Sequence, residues 1–158
     1  MNQSQDVIAY TDGACLGNPG PGGWGVVLLY GDNRKELSGG FRLTTNNRME
    51  ITAVIEALRA LKRPCRITVH SDSQYVVNAI MQGWAERWRE NGWKRNKKEK
   101  AINPDLWAEL LELVSRHTVR LQWVRGHSGV EENERADRLA MAAAQRKDLP
   151  RDEQYERS

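Results

Sequence analysis

Val7-Ile8-Ala9-Tyr10-Thr11-Asp12-Gly13-Ala14-Cys15 sets the fold. Val7 to Tyr10 is a short apolar run that reads as a β-strand, with Asp12 at its end. Leu16-Gly17-Asn18-Pro19-Gly20-Pro21-Gly22-Gly23 follows, and its Gly and Pro content excludes helix and regular strand. The sequence therefore predicts an acid presented at a strand end beside close-approach backbone. Moving outward, Trp24 to Tyr30 reads as a second strand. Gly31-Asp32-Asn33 is a turn, and Arg34 to Leu43 is a third strand. The three predict an antiparallel meander.

Thr44-Thr45-Asn46-Asn47 signals a helix start. That helix is expected to reach about Leu61, because Pro64 bars its continuation. Arg66 to Ser71 reads as a buried strand ending at Asp72, and a helix follows from Gln74 to about Gln82, ended by Gly83. Asn103-Pro104-Asp105 starts another helix reaching about Arg116, and Val119 to Val124 alternates as a strand. Arg125-Gly126-His127-Ser128-Gly129 is a glycine-flanked loop before a last helix, about Glu131 to Gln145. This alternation predicts an α/β fold: a five-stranded mixed sheet, strands 1–3 antiparallel, with helices on both faces. Residues 1–145 read as one domain. Residues 146–158 are charged and apolar-poor, and read as a flexible tail.

The 158 residues are enough for one domain with a real core, and the net charge of +3 is a weak pointer to nucleic acid. No apolar run is long enough to span a bilayer. Cys15 and Cys65 fit neither a metal-ligand spacing nor a disulfide framework and read as reduced thiols. These features predict a cytoplasmic protein without a membrane partner, and a monomer by default. The segment 84–101 differs from the rest. Arg87 to Lys100 holds seven basic residues against two acids, with Trp84, Trp88 and Trp93 in or beside it. Basic side chains interleaved with Trp point to a nucleic-acid backbone, while Trp84 and Trp88, four residues apart, also read as packing for a short helix.

Four acids demand explanation. Asp12-Gly13 also reads as a turn dipeptide and Asp72-Ser73 as a helix N-cap. Glu50 is harder to explain locally. The apolar stripe Ala53, Val54, Ala57, Leu58, Leu61, traced back one turn, meets Glu50, and residues 46, 47, 53 and 54 offer it no base. Asp137 likewise lacks a helical cation, although Glu131–Arg135 and Glu134–Arg138 pair the neighbouring acids. A carboxylate on an inward face is costly unless paired or bound to a cation. If adjacent strands bring Asp12 and Asp72 together and the helices supply Glu50 and Asp137, the cluster suits Mg²⁺. Two such ions activate a water and stabilise the leaving oxygen of a phosphodiester.

Tyr10-Thr11-Asp12-Gly13 with its glycine-rich loop, Thr45-Asn46-Asn47-Arg48-Met49-Glu50, Ser71-Asp72-Ser73-Gln74-Tyr75-Val76, Trp123-Val124-Arg125-Gly126-His127-Ser128-Gly129 and Glu132-Asn133-Glu134-Arg135-Ala136-Asp137 together resemble bacterial ribonuclease HI, of the type 1 ribonuclease H family. The resemblance covers roughly residues 6 to 145, with every segment in the family's order. It implies that Asp12, Glu50, Asp72 and Asp137 are the metal-binding catalytic carboxylates. It further implies Mg²⁺ (or Mn²⁺) as cofactor and endonucleolytic hydrolysis of the RNA strand of RNA–DNA hybrids, leaving 3′-hydroxyl and 5′-phosphate ends.

By the same resemblance His127 is the loop histidine that takes or relays a proton or eases product departure. Asn18, Asn46 and Gln74, with Asn47 beside them, read the 2′-hydroxyl-bearing minor groove. Thr45 and Asn103 grip a phosphate of the DNA strand. Residues 84–101 match the basic helical handle, so that Trp84, Trp88, Trp93 and Lys94 are substrate-contact candidates. His70 and His117 have no such match and read as structural or surface residues. A nuclease acting on DNA junctions or double-stranded RNA is the alternative on the same fold, and a non-catalytic hybrid-binding module is the other. The polar readers argue against the first and the intact acids against the second.

Overall fold

A computed structural model describes residues 6–94, 102–126 and 129–157. In chain order the elements are β1 (Val7–Cys15), β2 (Gly20–Tyr30), β3 (Asn33–Thr44), α1 (Asn46–Arg59), β4 (Arg66–Ser71), α2 (Gln74–Met81), α3 (Trp84–Glu90), α4 (Pro104–Arg116), β5 (Thr118–Trp123), α5 (Glu131–Ala144) and α6 (Glu153–Arg157). The strands form one five-stranded sheet in the order β3-β2-β1-β4-β5. β1–β2 and β2–β3 are antiparallel, while β1–β4 and β4–β5 are parallel. This is the predicted mixed sheet. No helix among the described residues is long and apolar enough to cross a membrane.

The glycine-rich segment departs from expectation. β1 continues past Asp12 to Cys15, and β2 already begins at Gly20, so much of the supposed loop is paired strand. The glycines are there for packing. A Cβ on Gly23 would lie 2.3 Å from the Ala140 carbonyl oxygen, and one on Gly25 would lie 2.4 Å from that of Ala136. Real side chains never approach so closely, so only glycine lets α5 lie this near the sheet. Strand alternation turns Gly22 to the other face, where its Cβ would meet Met49 of α1 at 3.0 Å. Helices therefore cover both faces, α5 on one and α1 on the other.

α1 ends at Arg59, slightly short of expectation, and is buried nearly all round. Met49, Ile51 and Ile55 are inside along with Ala53, Val54, Ala57 and Leu58 of the predicted stripe, while Leu61 lies past the helix end and is half-buried. The stripe was too narrow because α1 is wedged between the sheet and α4, so most of its circumference meets protein. The main core gathers α1 to α4 against Val7, Ala9, Val26, Leu28, Ile67, Val69 and Leu121 of the sheet.

Residues 146–157 are not a loose tail. The Arg42 N–H donates to the Pro150 carbonyl at 2.8 Å, and the Arg42 guanidinium pairs with Glu156 at 2.8 Å. Asp152 is 6% exposed and accepts from Thr44 Oγ1 and from Arg48 Nε, each at 2.7 Å. Tyr155 lies against the same guanidinium, 5.8 Å from ring centre to Cζ. Composition misled here because the partners of these charges lie more than a hundred residues back along the chain.

Candidate active site

The parallel register of β1 with β4 ends at Thr11↔Ser71. Asp12 and Asp72 are the next residues on each strand, so they stand side by side where β4 stops and β1 runs on. Glu50 arrives from the second turn of α1. Its approach depends on Gly13, where a Cβ would lie 2.5 Å from the Glu50 nitrogen and 2.5 Å from the Met49 carbonyl carbon. With no side chain at Gly13, the start of α1 rests on β1. One ligand oxygen each from Asp12, Glu50 and Asp72 then falls within 4.8 Å of the others. Asp137 on α5 is near enough to act on the Asp12 carboxyl, but it is not one of the three acids that converge within 4.8 Å.

This cluster is electrostatically strained. Asp12 is 4% exposed and Glu50 7%. Burial above all, followed by the charges of Asp72 and Asp137, pushes the Asp12 carboxyl up to about 9, although the Gly13 N–H at 2.9 Å works against the rise. Burial, then the charges of Asp12 and Asp72, holds Glu50 well above the usual carboxylate range. Glu50 Oε1 and Asp72 Oδ1 are buried with no hydrogen-bond partner. Unpaired buried oxygens among converging carboxylates are what a hard divalent cation relieves. The donor set therefore fits such an ion.

The β4–β5 edge fixes Asp72. Trp123 Nε1–H donates to the Asp72 carbonyl at 3.1 Å, and the Val124 N–H extends the strand pairing to the Ser71 carbonyl at 2.9 Å. Gly126 packs so near that a Cβ there would lie 2.9 Å from Asp72 Oδ2. Asp72 is not the cap of α2. Ser73 is, its hydroxyl accepting from the Val76 N–H at 3.2 Å, which leaves the Asp72 carboxylate to the cluster.

The profile of the family described as RNase H matches residues 4–145. The chain belongs to the ribonuclease H family. It is 67% identical over 151 residues to a ribonuclease H of Syntrophus aciditrophicus, covering 96% of this chain and 87% of the relative. A ribonuclease HI of Synechocystis is 57% identical over 140 residues, 88% of each chain. Among solved structures, LC9-RNase H1, a type 1 RNase H with the type 2 active-site motif, superposes with a TM-score of 0.79 at 37% identity, covering 91% of this chain and 74% of that one. LC11-RNase H1, solved in complex with RNA/DNA hybrid, superposes with a TM-score of 0.68 at 28% identity, covering 88% and 96%.

The other candidate residues of this ribonuclease H divide into groups. Asn18 is exposed, and its Oδ1 accepts from the Asn46 N–H at 3.1 Å, so the two amides sit together at the start of α1. Thr45 caps that helix, its Oγ1 accepting from the Arg48 N–H at 3.2 Å. Asn47 and Gln74 are exposed, and Gln74 opens α2 two residues after Asp72. Asn103 precedes α4 with a left-handed backbone, φ 64°.

Trp88 belongs elsewhere. It is 7% exposed, edge-on to Trp107 at 5.8 Å and tilted against Tyr75 at 6.3 Å. Its ring anchors α3 to the core, which corrects its candidacy as a substrate contact. Trp84 and Trp93 are half-buried against the same core, and Lys94 is exposed. His127 and the basic residues 95–101 lie outside the described residues.

Sequence reasoning missed Arg48, Asp105 and Asp152. Arg48 is 3% exposed and pairs with both acids at 2.7 Å. A base two residues before Glu50 on a buried helix was the available signal, but its partners are too distant in sequence to be read as a pattern.

Proposed function

We propose that this ribonuclease H hydrolyses the RNA strand of RNA–DNA hybrids, using Mg²⁺ (or Mn²⁺) held by Asp12, Glu50, Asp72 and Asp137. The observation that carries the reading is the convergence of three carboxylates within 4.8 Å, Asp12 and Glu50 buried and Asp72 half-buried, with orphaned oxygens on Glu50 and Asp72. The hybrid bound to LC11-RNase H1 supports the substrate class. Bound divalent ions, two in this reading, activate a water and neutralise charge developing on the scissile phosphate. The acids position that charge, and their burial keeps it strong. In this scheme the products carry 3′-hydroxyl and 5′-phosphate ends, and His127 relays a proton or eases product departure.

Asn18, Asn46, Asn47 and Gln74 supply the discrimination for RNA. Asn18 Oδ1 is engaged by the Asn46 N–H, so Asn18 retains its amide Nδ2 as donor toward a 2′-hydroxyl or base edge. Thr45 and Asn103 hold a DNA-strand phosphate. Lys94, Trp84 and Trp93 of the handle face the hybrid backbone. All four acids come from one chain, which supports a monomer. Cys15 and Cys65 are both free, which suits a reducing cytoplasm.

The test is a hybrid labelled on each strand, incubated with and without Mg²⁺ beside matched RNA and DNA duplexes. Mg²⁺-dependent cutting of the RNA strand in the hybrid alone is expected. Equal cutting of the RNA duplex would favour the alternative nuclease. Asp12→Asn should abolish cleavage while hybrid binding survives, and full activity in that variant would sink the site.

A further inference from the structure

Arg48 donates five hydrogen bonds through its guanidinium. Its Nε and Nη2 donate to the two oxygens of Asp152 at 2.7 and 3.0 Å. Its Nη1 and Nη2 donate to the two oxygens of Asp105 at 3.0 and 2.7 Å. Nη1 also donates to Asn103 Oδ1 at 3.1 Å. Thr44 Oγ1 donates to Asp152 Oδ2 at 2.7 Å, so the C-terminal segment is clamped to the junction of β3 and α1.

The same arginine contacts two groups that the proposed function assigns to a DNA-strand phosphate. Arg has donors only, so whatever amide atom faces it must be the oxygen. Asn103 is therefore fixed with Oδ1 inward, and its Nδ2 remains to donate. The Arg48 backbone N–H occupies an acceptor lone pair of Thr45 Oγ1, which leaves the hydroxyl proton to donate. Both groups thus present donors, the polarity an anion requires. The left-handed backbone of Asn103 is sparsely populated by side-chain-bearing residues and persists where the surroundings over-determine it.

We propose that Asp152 is a positioning residue for hybrid binding. Through the Arg48 guanidinium, the C-terminal segment sets Asn103 as a phosphate donor beside Thr45. This rests on the assignment of Thr45 and Asn103 to the DNA strand. Three elements far apart in sequence meet at one guanidinium, and only the bidentate fork of Arg serves both carboxylates and the amide together.

The test compares wild type, Asp152→Asn, Asn103→Ala and the double variant in steady-state cleavage of a hybrid. Each is assayed at a temperature where circular dichroism shows it folded. Asn103→Ala should raise KM about tenfold, the loss of one hydrogen bond to a charged group. Asp152→Asn should raise KM about three- to fivefold and leave kcat within about twofold, since a positioning partner contributes less than the contact itself. In the double variant the two effects should not multiply. A second substrate series carries neutral methylphosphonates one at a time along the DNA strand. Wild type should lose affinity at one position, and Asp152→Asn should lose less there.

Multiplicative KM effects, or an undiminished methylphosphonate penalty in Asp152→Asn, would overturn the proposal. No KM change in Asn103→Ala would instead remove the phosphate assignment beneath it. If Asp152→Asn fails to fold, Arg48→Lys takes its place, with the same expected non-additivity toward Asn103.

Discussion

Replacing Asp12 with Asn should make the metal-free protein more stable, and the gain should grow with pH. The Asp12 carboxyl lies at about 9 in the fold against an ordinary 3.8, chiefly through burial and then through Asp72 and Asp137. Its folded value is raised, so the folded state binds the proton more tightly than the unfolded chain does. The stability this confers is fully present below 3.8 and is lost progressively as pH rises through the window from 3.8 to about 9. Each pH unit in that window costs the fold about 1.4 kcal/mol, so the ceiling at pH 7 is ~4 kcal/mol.

Asn keeps an acceptor for the Gly13 N–H and carries no charge. A gain of about 2–4 kcal/mol at pH 7 follows once relaxation of the site is allowed for, or roughly 5–15 °C in Tm for a domain of this size. Urea unfolding in EDTA, followed by circular dichroism at pH 4.5 and pH 8, measures it. The difference between variant and wild type should be small at the lower pH and wide at the higher. Mg²⁺ should stabilise wild type more than the variant, because the ion binds the folded cluster. A variant no more stable than wild type in EDTA at pH 8, or an advantage independent of pH, would refute the electrostatic reasoning.

Gly13→Ala forces a Cβ into the backbone of Met49 and Glu50 at 2.5 Å, so α1 must move off β1. Expected are about 2–4 kcal/mol of destabilisation and a lower kcat from a displaced Glu50, read by urea titration and hybrid cleavage. Trp88→Ala should cost about 3–5 kcal/mol by opening the contact with Trp107 and Tyr75, with KM for the hybrid unchanged in the folded fraction. A raised KM there would return Trp88 to the substrate interface. Asn18→Ala should narrow the preference for hybrid over DNA duplex, which competition binding with the two duplexes would show.

The fold was legible where a residue's role is local. The apolar runs of β1 and β4, the Thr45 cap and the Pro104 helix start all act within a few residues of themselves, and each stands where the sequence indicates. Glu50 and Asp137 were legible as misfits, since neither has a helical cation. Roles set by distant contact were not legible. Gly23 read as a loop residue and Gly25 as an ordinary strand residue because the helix that requires both glycines, α5, lies over a hundred residues further on. Trp88 read both as helix packing and as a substrate contact because its partners Tyr75 and Trp107 sit on other helices. The C-terminal segment read as a flexible tail because the partners of Asp152, Thr44 and Arg48, lie more than a hundred residues back along the chain.

Two charge clusters share the start of α1, and their contrast separates support from chemistry. Arg48 is buried with all three nitrogens engaged by two carboxylates and an amide. Burial alone would lower its affinity for a proton, but the hydrogen bonds of Asp105 and Asp152 outweigh this and hold it above the usual range. Glu50, two residues on, is equally buried and faces like charges with one oxygen orphaned. A folded chain keeps a satisfied buried ion for the geometry it fixes, and an unsatisfied one only when something outside the chain completes it. The rigid cluster at Arg48 orients the end of α1. That orientation delivers Glu50 to Asp12 and Asp72, the cluster that the cation of the proposed function would complete.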